Sequence, residues 1–277
     1  QSADSRAVLQ RERHGTLFAD VERKLDLTLR ALWRDGDHLV PYSTAFDELR
    51  KPIPYYDKLG MRVPDVLDDA NGVAGLDRYR AVLAHMVGHR RWSKPQIADN
   101  WSPFQRMAVE FFEDCRIETL LMREYPGLRR IFLALHPKPV ESACDPETTS
   151  CLRHRLAMLS RALLDPAHGY ADQDLLEYVR RFNELLAVGG ESSTDEIASL
   201  ALAYVARTRR QSDQLAKVHF DDTVIDYRDD NRQLWRFIEE GDEEEAFDEE
   251  RKLDQKDQVK GLPPRHYPEW DYQTQTY

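Results

Sequence analysis

The chain has 277 residues, of which 41% are hydrophobic and 32% charged, and its 50 acidic and 39 basic side chains give a formal net charge of −11. An acidic surface repels nucleic-acid phosphates and anionic lipid headgroups, so this composition argues against nucleic acid and membranes as partners. Three cysteines and no apolar run of about 20 residues argue against a disulfide-built secreted domain and a membrane span, and we expect a cytoplasmic protein.

The first predicted element is a long amphipathic helix over residues 5–34. Its apolar side chains recur at three- and four-residue steps, which places them on one face: Leu17, Val21, Leu25, Leu29 and Leu32. An Asp-Gly-Asp sequence at residues 35–37 is typical of a helix end. Residues 40–75 contain several prolines and aromatic residues, and this composition predicts a packed irregular connection with short helices.

Two helices with strong signals come next, the first over residues 76–92. The second begins at Ser102, which is a good N-cap, with Pro103 at the first helical position and Gln105 completing a capping box. A Tyr-Pro-Gly sequence at residues 125–127 ends this helix. Because large apolar side chains occupy most of its circumference, we predict that it is the central helix of the fold.

The remaining segments also favour helix. Residues 129–135 could form a helix or a strand, and helices are predicted at about 151–164, 172–188 and 193–213. The sequence contains no Gly-rich phosphate loop, no βαβ alternation and no internal repeat. We therefore predict an all-α, mainly helical fold.

The composition divides the chain into three segments. Residues 1–238 are predicted to form one helical domain. Residues 239–262 begin with nine acidic side chains in twelve positions, and because such a run cannot bury a core, it is predicted to be a solvated linker. Residues 263–277 are rich in aromatic residues and proline. A domain rarely ends on an uncovered aromatic cluster, so we expect the protein to continue beyond this segment.

His85 and His89 are the leading candidate site residues. At i and i+4 on a helix they share a face, as the zinc ligands of an H-E-x-x-H metallopeptidase do. Glu113, or alternatively Asp114, could complete a site of two histidines and one carboxylate that holds zinc, and Glu118 could orient a ligand. The other interpretation is that the two histidines lie in the interior and are hydrogen-bonded to Glu113 or Asp114.

Met86 stands where the metallopeptidase motif has its general base. A thioether cannot accept a proton from a metal-bound water, so hydrolysis by this mechanism is not expected even with a bound ion. We therefore predict a scaffold with a degenerate zincin-like helix pair and no enzymatic activity. The alternative is a metal-dependent hydrolase that uses His85, His89 and Glu113 with a different base.

Three other polar groups are weaker candidates. The cysteines and histidines of the chain's middle part do not have the spacing of a zinc motif, and we predict loop and helix-start roles for them: His136, Cys144, Cys151 and His154. A group of aspartates lacks the EF-hand pattern and is interpreted as turn and cap residues: Asp221, Asp222, Asp226, Asp229 and Asp230. A basic cluster could bind a partner or the chain's own acidic run, or could be a solvated helix end: Arg207, Arg209 and Arg210.

Three stretches resemble a known family. They are HRRWS with ADNWSP at residues 89–93 and 98–103, FEDCRIE with YPGLRR at 112–118 and 125–130, and YPEWDY at 267–272. Together they resemble the CbbO/NorD family of large adaptor proteins, which partner MoxR-type AAA+ ATPases. The resemblance covers most of residues 75–277, and residues 144–147 and 206–213 are closer to CbbO than to NorD.

The resemblance implies a function that composition alone does not indicate. It implies that this domain docks on a hexameric CbbQ-type ATPase and transmits ATP-driven motion to inhibited rubisco, without chemistry of its own. A NorD-like role in nitric oxide reductase maturation is the alternative. It also implies a von Willebrand factor A domain after the aromatic segment, which would contact rubisco and would be the expected place for magnesium.

Overall fold

The computed structural model describes residues 15–44, 53–145, 150–188, 192–210, 213 and 223–237. The predicted linker and aromatic segment lie outside these ranges, as does the N-terminal part of the first predicted helix. None of the helices in the described ranges combines the length and the apolar character that a bilayer crossing requires.

The described part of the chain is mainly helical, as predicted. Its α-helices are α1 Phe18–Thr28, α2 Gly75–Trp92, α3 Pro103–Glu124, α4 Leu128–Leu135, α5 Leu152–Leu164, α6 Gln173–Val188 and α7 Thr194–Thr208. The helices predicted at residues 76–92 and from Ser102 onward are confirmed to within a residue or two. The ambiguous segment at residues 129–135 is helical.

Short strands accompany the helices, and this is a correction for residues 40–75. The strands are β1 Thr16–Leu17, β2 Leu39–Tyr42, β3 Tyr55–Asp57, β4 Gly60–Pro64, β5 Val66–Leu67, β6 Gln96–Ile97 and β7 Trp235–Arg236. Strand β4 is central in a three-stranded sheet, parallel to β2 and antiparallel to β3. Met61 and Val63 alternate into the core on β4, and this period of two favours strand over the short helices we expected.

The first helix is shorter than predicted. It begins at Phe18 because Thr16 and Leu17 pair with β5 instead. After α1 the chain forms a π-helical turn at Leu29–Trp33, which changes the number of residues per turn. The apolar stripe therefore continues to Leu29, which is fully buried, but not to Leu32, which is 48% exposed.

Helix α3 is the centre of the fold and packs against α2, α5 and α7. Its predicted capping box is present: Ser102 Oγ accepts from Gln105 N, and Gln105 Oε1 accepts from Ser102 N at 2.8 Å. Gly88 lets α2 approach α3 closely, because a Cβ there would lie 3.0 Å from Leu121 Cδ1. This close approach brings the histidines of α2 next to the carboxylates of α3.

Helix α7 ends earlier than predicted. Its start at Ser193 has a capping box with Glu196, in line with the acidic first turn seen in the sequence. The helix stops at Thr208 because Arg209 has an extended backbone, with φ −63° and ψ 133°. Of the three arginines in the predicted basic cluster, only Arg207 is therefore helical.

Candidate functional site

His85 and His89 face the carboxylates of α3 in the interior of the protein. His89 Nε2 lies 3.1 Å from Asp114 Oδ1, and His85 Nε2 lies 3.7 Å from the same oxygen. The three side chains are at most 3% exposed, and their ligand atoms lie within 4.8 Å of one another. This group could hold a metal ion.

A guanidinium lies on the carboxylate side of this group. Arg228 Nε donates to Glu118 Oε1 at 2.7 Å, and its Nη1 lies 3.2 Å from Asp114 Oδ2. Arg228 is 6% exposed and also lies over the ring of Phe111. Burial would raise the pKa of Glu118, but the charge and hydrogen bond of Arg228 and the neighbouring His85 together outweigh this effect and hold the pKa below its usual value.

The charges of this cluster shift the pKa values of the histidine and the aspartate in opposite directions. Burial alone would lower the pKa of His89, but Asp229 and Asp114 outweigh it and raise the pKa to about 9. Burial alone would raise the pKa of Asp114, but Arg228 and the hydrogen bond from His89 lower it to about 2. In the metal-free state at neutral pH, a protonated His89 therefore donates through Nε2 to an ionised Asp114.

Glu113, the carboxylate that we placed first as a ligand, lies outside the metal-compatible group. It is fully buried and accepts two hydrogen bonds from Arg116, at 2.8 and 2.7 Å. Adjacent helical residues point about 100° apart. When Asp114 faces α2, Glu113 therefore turns toward Arg116 and the start of α7, where Thr194 Oγ1 also donates to it at 3.0 Å.

Glu113 still reaches the histidine pair through a hydroxyl. Ser93 Oγ donates to Glu113 Oε1 at 2.5 Å, so the Nδ1–H of His89 donates to Ser93 Oγ at 3.0 Å. On the other histidine, His85 Nδ1 lies 3.4 Å from Glu118 Oε1. Each ring thus has its Nε2 toward Asp114 and its Nδ1 toward a carboxylate, directly or through one side chain.

Met86 is fully buried in the core and faces away from water. It therefore packs as an apolar side chain on a different face of α2 from the two histidines. No family model matches the chain, and no curated protein or solved structure matches it either. The resemblance to the CbbO/NorD family accordingly rests on the sequence motifs described above.

Sequence reasoning missed the contribution of residues 223–237. Arg228 and Asp229 enter the site from this segment, which follows Glu118 by more than a hundred residues. We interpreted Asp229 as a turn or cap residue; it does accept from Asn231 N, but it also lies 3.9 Å from both histidine Nε2 atoms. The Tyr-Arg-Asp-Asp sequence at 227–230 has no periodicity that would have indicated this position.

The second histidine and cysteine group does not form a metal site. Cys144 and Cys151 are joined by a disulfide, with their Cα atoms 5.8 Å apart, which the sequence analysis did not predict. His154 is buried elsewhere on α5. Disulfides are rare in reducing compartments, so the bond bears directly on the cytoplasmic location, which stays a prediction.

We expect the disulfide to stabilise the domain. The two cysteines are seven positions apart, and closing such a short loop restricts the unfolded chain by about 2–3 kcal/mol. A Cys144→Ser/Cys151→Ser variant should lose this amount in urea unfolding. Wild-type protein unfolded with a reductant serves as the control and should match the variant; a variant as stable as the oxidised protein would contradict the bond's role.

His136 belongs to the Arg228 network instead. Arg228 Nη2 donates to Ser160 Oγ at 2.7 Å, Ser160 Oγ donates to His136 Nε2 at 2.8 Å, and His136 Nδ1 donates to Pro137 O at 2.7 Å. Burial and the nearby charge of Arg228 lower the pKa of His136 to about 3. This imidazole is therefore neutral and holds the α4–α5 connection.

His136 should make the protein sensitive to mild acid. Its folded pKa of about 3 lies below the unfolded value near 6.5, so its stabilising effect is complete above pH 6.5 and is lost as the pH falls toward 3. Between pH 7 and 5 this loss amounts to about 2 kcal/mol. A His136→Gln variant should show a correspondingly shallower fall in unfolding free energy. The exposed His38→Gln should keep the wild-type slope, and identical slopes for His136→Gln and wild type would contradict the assignment.

The predicted basic cluster lies at the end of α7, beside an open groove. The groove has a volume of about 650 Å³, with Leu202, Val205 and Ala206 along its wall and Arg209 and Arg210 at its rim. Arg209 stacks over the ring of Phe104, with its Cζ 4.3 Å from the ring centroid. We call this feature the α3–α7 groove.

The third arginine of the cluster has a different setting. Arg207 is exposed, and its Nε donates to Asp174 Oδ1 at 3.0 Å. An exposed ion pair of this kind contributes little to stability, so Arg207 can exchange its partner easily. The cluster therefore presents cationic groups next to an apolar groove.

Proposed function

We propose that this domain is a non-catalytic adaptor that docks on a hexameric MoxR-type AAA+ ATPase of the CbbQ kind and couples ATP hydrolysis to the reactivation of inhibited rubisco. The motifs shared with the CbbO/NorD family support the choice of ATPase and client. The adaptor would act in the cytoplasm and would contact rubisco through a von Willebrand factor A domain.

One observation carries the non-catalytic part of this proposal. The position of the general base is occupied by the buried thioether of Met86, and the guanidinium of Arg228 occupies the carboxylate side of the histidine pair. A hydrolase needs a base within reach of a metal-bound water. The histidine pair therefore lacks a proton acceptor at the position where an H-E-x-x-H motif has its Glu.

Zinc is the ion that we propose for the histidine pair. Imidazole nitrogens and a carboxylate oxygen are ligands that zinc accepts in a tetrahedral arrangement. In a non-catalytic domain the ion would stabilise the contact between α2 and α3. It would not activate water.

The α3–α7 groove is the docking surface that we propose for the ATPase. An apolar wall with arginines at its rim is complementary to an amphipathic segment with acidic side chains. We therefore expect the ATPase to contribute such a segment. An acidic side chain of that segment would replace Asp174 as the partner of Arg207.

Co-purification with the ATPase tests the proposal. Reversing Arg207, Arg209 and Arg210 to Glu should reduce capture of the CbbQ-type ATPase at least tenfold while the circular dichroism spectrum is unchanged. Reversing Arg23, Lys24 and Lys58, which are exposed elsewhere, alters the net charge equally and should leave capture unchanged. Equal capture by both variants would contradict the docking surface, and peptide hydrolysis abolished by His85→Ala would contradict the non-catalytic role.

A further inference from the structure

We propose that Asp229 is the fourth ligand of a closed, structural zinc site formed with His85, His89 and Asp114. The site would join the 223–237 segment to helices α2 and α3. It would have no open position for water or substrate. This inference does not depend on the identity of the ATPase or its client.

The ligand atoms of His85, His89 and Asp114 lie within 4.8 Å of one another, and Asp229 faces both histidines of this group. Zinc with nitrogen and oxygen ligands at about 2.0–2.1 Å places those ligands about 3.3 Å apart. Asp229 Oδ1 lies 3.9 Å from the Nε2 atom of each histidine. Asp114 Oδ1 lies 3.1 and 3.7 Å from the same two nitrogens. Binding of the ion would draw Asp229 Oδ1 toward the two histidine nitrogens and into the group that Asp114 forms with them.

His85 supplies an independent observation that points to a ligand. Its side chain is fully buried, and its Nε2 atom has no hydrogen-bond partner. The nearest acceptors to this nitrogen are Asp114 and Asp229, which are too distant to hydrogen-bond. A buried polar atom without a partner is costly, and a metal ion at the common centre would satisfy it.

The second nitrogen of each ring lies beside an acceptor: His89 Nδ1 is hydrogen-bonded, and His85 Nδ1 lies 3.4 Å from Glu118 Oε1 without a hydrogen bond. A ligating histidine usually donates its second nitrogen to a carboxylate or an equivalent acceptor, which orients the ring and strengthens the bond to the metal. His85 Nδ1 faces Glu118, and His89 Nδ1 donates to Ser93, which in turn donates to Glu113. Glu113 would therefore be a positioning residue and not a ligand.

The charges of the site favour a divalent cation. Among the described residues of this cluster, Asp114, Glu118 and Asp229 are buried carboxylates, and Arg228 is the guanidinium that faces them. When both imidazoles are neutral, as metal ligation requires, these four side chains leave two negative charges in the interior. Burying uncompensated charge is unfavourable, and one divalent ion balances the cluster.

Four protein ligands define what kind of site this would be. Structural zinc sites are closed by four protein side chains, whereas catalytic sites keep one position for water. Asp229 lies in the irregular part of this segment, before strand β7, and its neighbour Arg228 is already anchored to Glu118. The ion would add a second anchor at the adjacent residue and hold this segment over the helix pair.

Zinc titration of the untagged full chain tests the inference. After removal of metals by a chelator, calorimetry with zinc chloride should show one equivalent bound per chain, and zinc should raise the melting temperature. Asp229→Asn and Asp114→Asn should each weaken binding at least tenfold. The exposed Asp226→Asn, from the same segment, should bind within twofold of wild type. Glu113→Gln should weaken binding less than either ligand variant does.

A second measurement needs no variant. The visible absorption spectrum of the Co²⁺-substituted wild-type protein should have the intense bands of a four-coordinate tetrahedral site. The weak bands of a six-coordinate ion would overturn the closed site, as would the absence of zinc binding. Equal zinc affinity of Asp229→Asn and wild type would overturn the fourth ligand. Loss of zinc binding with intact ATPase capture would refute this inference alone.

Discussion

Replacing Arg228 with Met is expected to lower the free energy of unfolding by about 3–5 kcal/mol, because it leaves Asp114 and Glu118 buried without their shared guanidinium. The hydrogen bond to Ser160 is lost as well. Urea unfolding of chelator-treated protein at pH 7 measures this effect without a contribution from bound metal.

Two controls separate the buried pairing from a general loss of charge. Arg180→Met removes an arginine of the exposed surface of α6, which pairs there with Glu177, and should change stability little because solvent screens that interaction. Arg228→Met/Glu118→Gln should be more stable than Arg228→Met, since it removes one of the stranded charges. An Arg228→Met protein as stable as wild type would show that the guanidinium does not hold this site together.

Replacing Arg116 with Met is expected to have a comparably large effect. Arg116 is 1% exposed, and it joins three parts of the fold through Glu113 on α3, Ser192 O before α7 and Trp92 O at the end of α2. Its removal leaves the carboxylate of Glu113 buried without a counter-charge. We therefore expect the free energy of unfolding, measured in urea, to fall by about 3–5 kcal/mol.

A double-mutant cycle distinguishes the ion pair from packing. Arg116→Met/Glu113→Met replaces both charges by apolar groups and should recover much of the stability lost in the single variants, because no charge is left unpaired. If the effects of the two single substitutions simply add, the buried pair is not the reason for the loss. Zinc binding by the Arg116→Met protein, where it folds, should follow the prediction for Glu113→Gln.

Local sequence signals determined most of the helical elements. The Ser102 capping box and the Tyr-Pro-Gly stop at 125–127 act within a few residues of the positions that they define, and so do the caps at Ser193 and Glu196. The i, i+4 spacing of His85 and His89 likewise places both on one face of α2, whatever the rest of the chain does. These features could be predicted because the interactions that create them are close in sequence.

Signals were weaker where tertiary contacts compete with local preference. The described residues of the 40–75 region form strands because β2, β3 and β4 hydrogen-bond to one another across intervening chain, which a proline-rich composition does not reveal. The π-helical turn at Leu29–Trp33 ends the apolar stripe of the first helix in a similar way. The disulfide between Cys144 and Cys151 depends on how the chain returns to the start of α5.

The sequence by itself determined that two histidines share a face of one helix, that a carboxylate pair lies on the next helix in the chain, and that Met86 stands where an H-E-x-x-H motif has Glu. Only the tertiary structure decided that Asp114 faces the histidines while Glu113 pairs with Arg116, because this choice depends on the rotation of α3 about its axis when it packs against α2. The positions of Arg228 beside Asp114 and of Asp229 beside His85 also depend on tertiary contacts. Long-range contacts of an irregular segment have no period in sequence, since they are selected by the complementary charge and shape of the completed core.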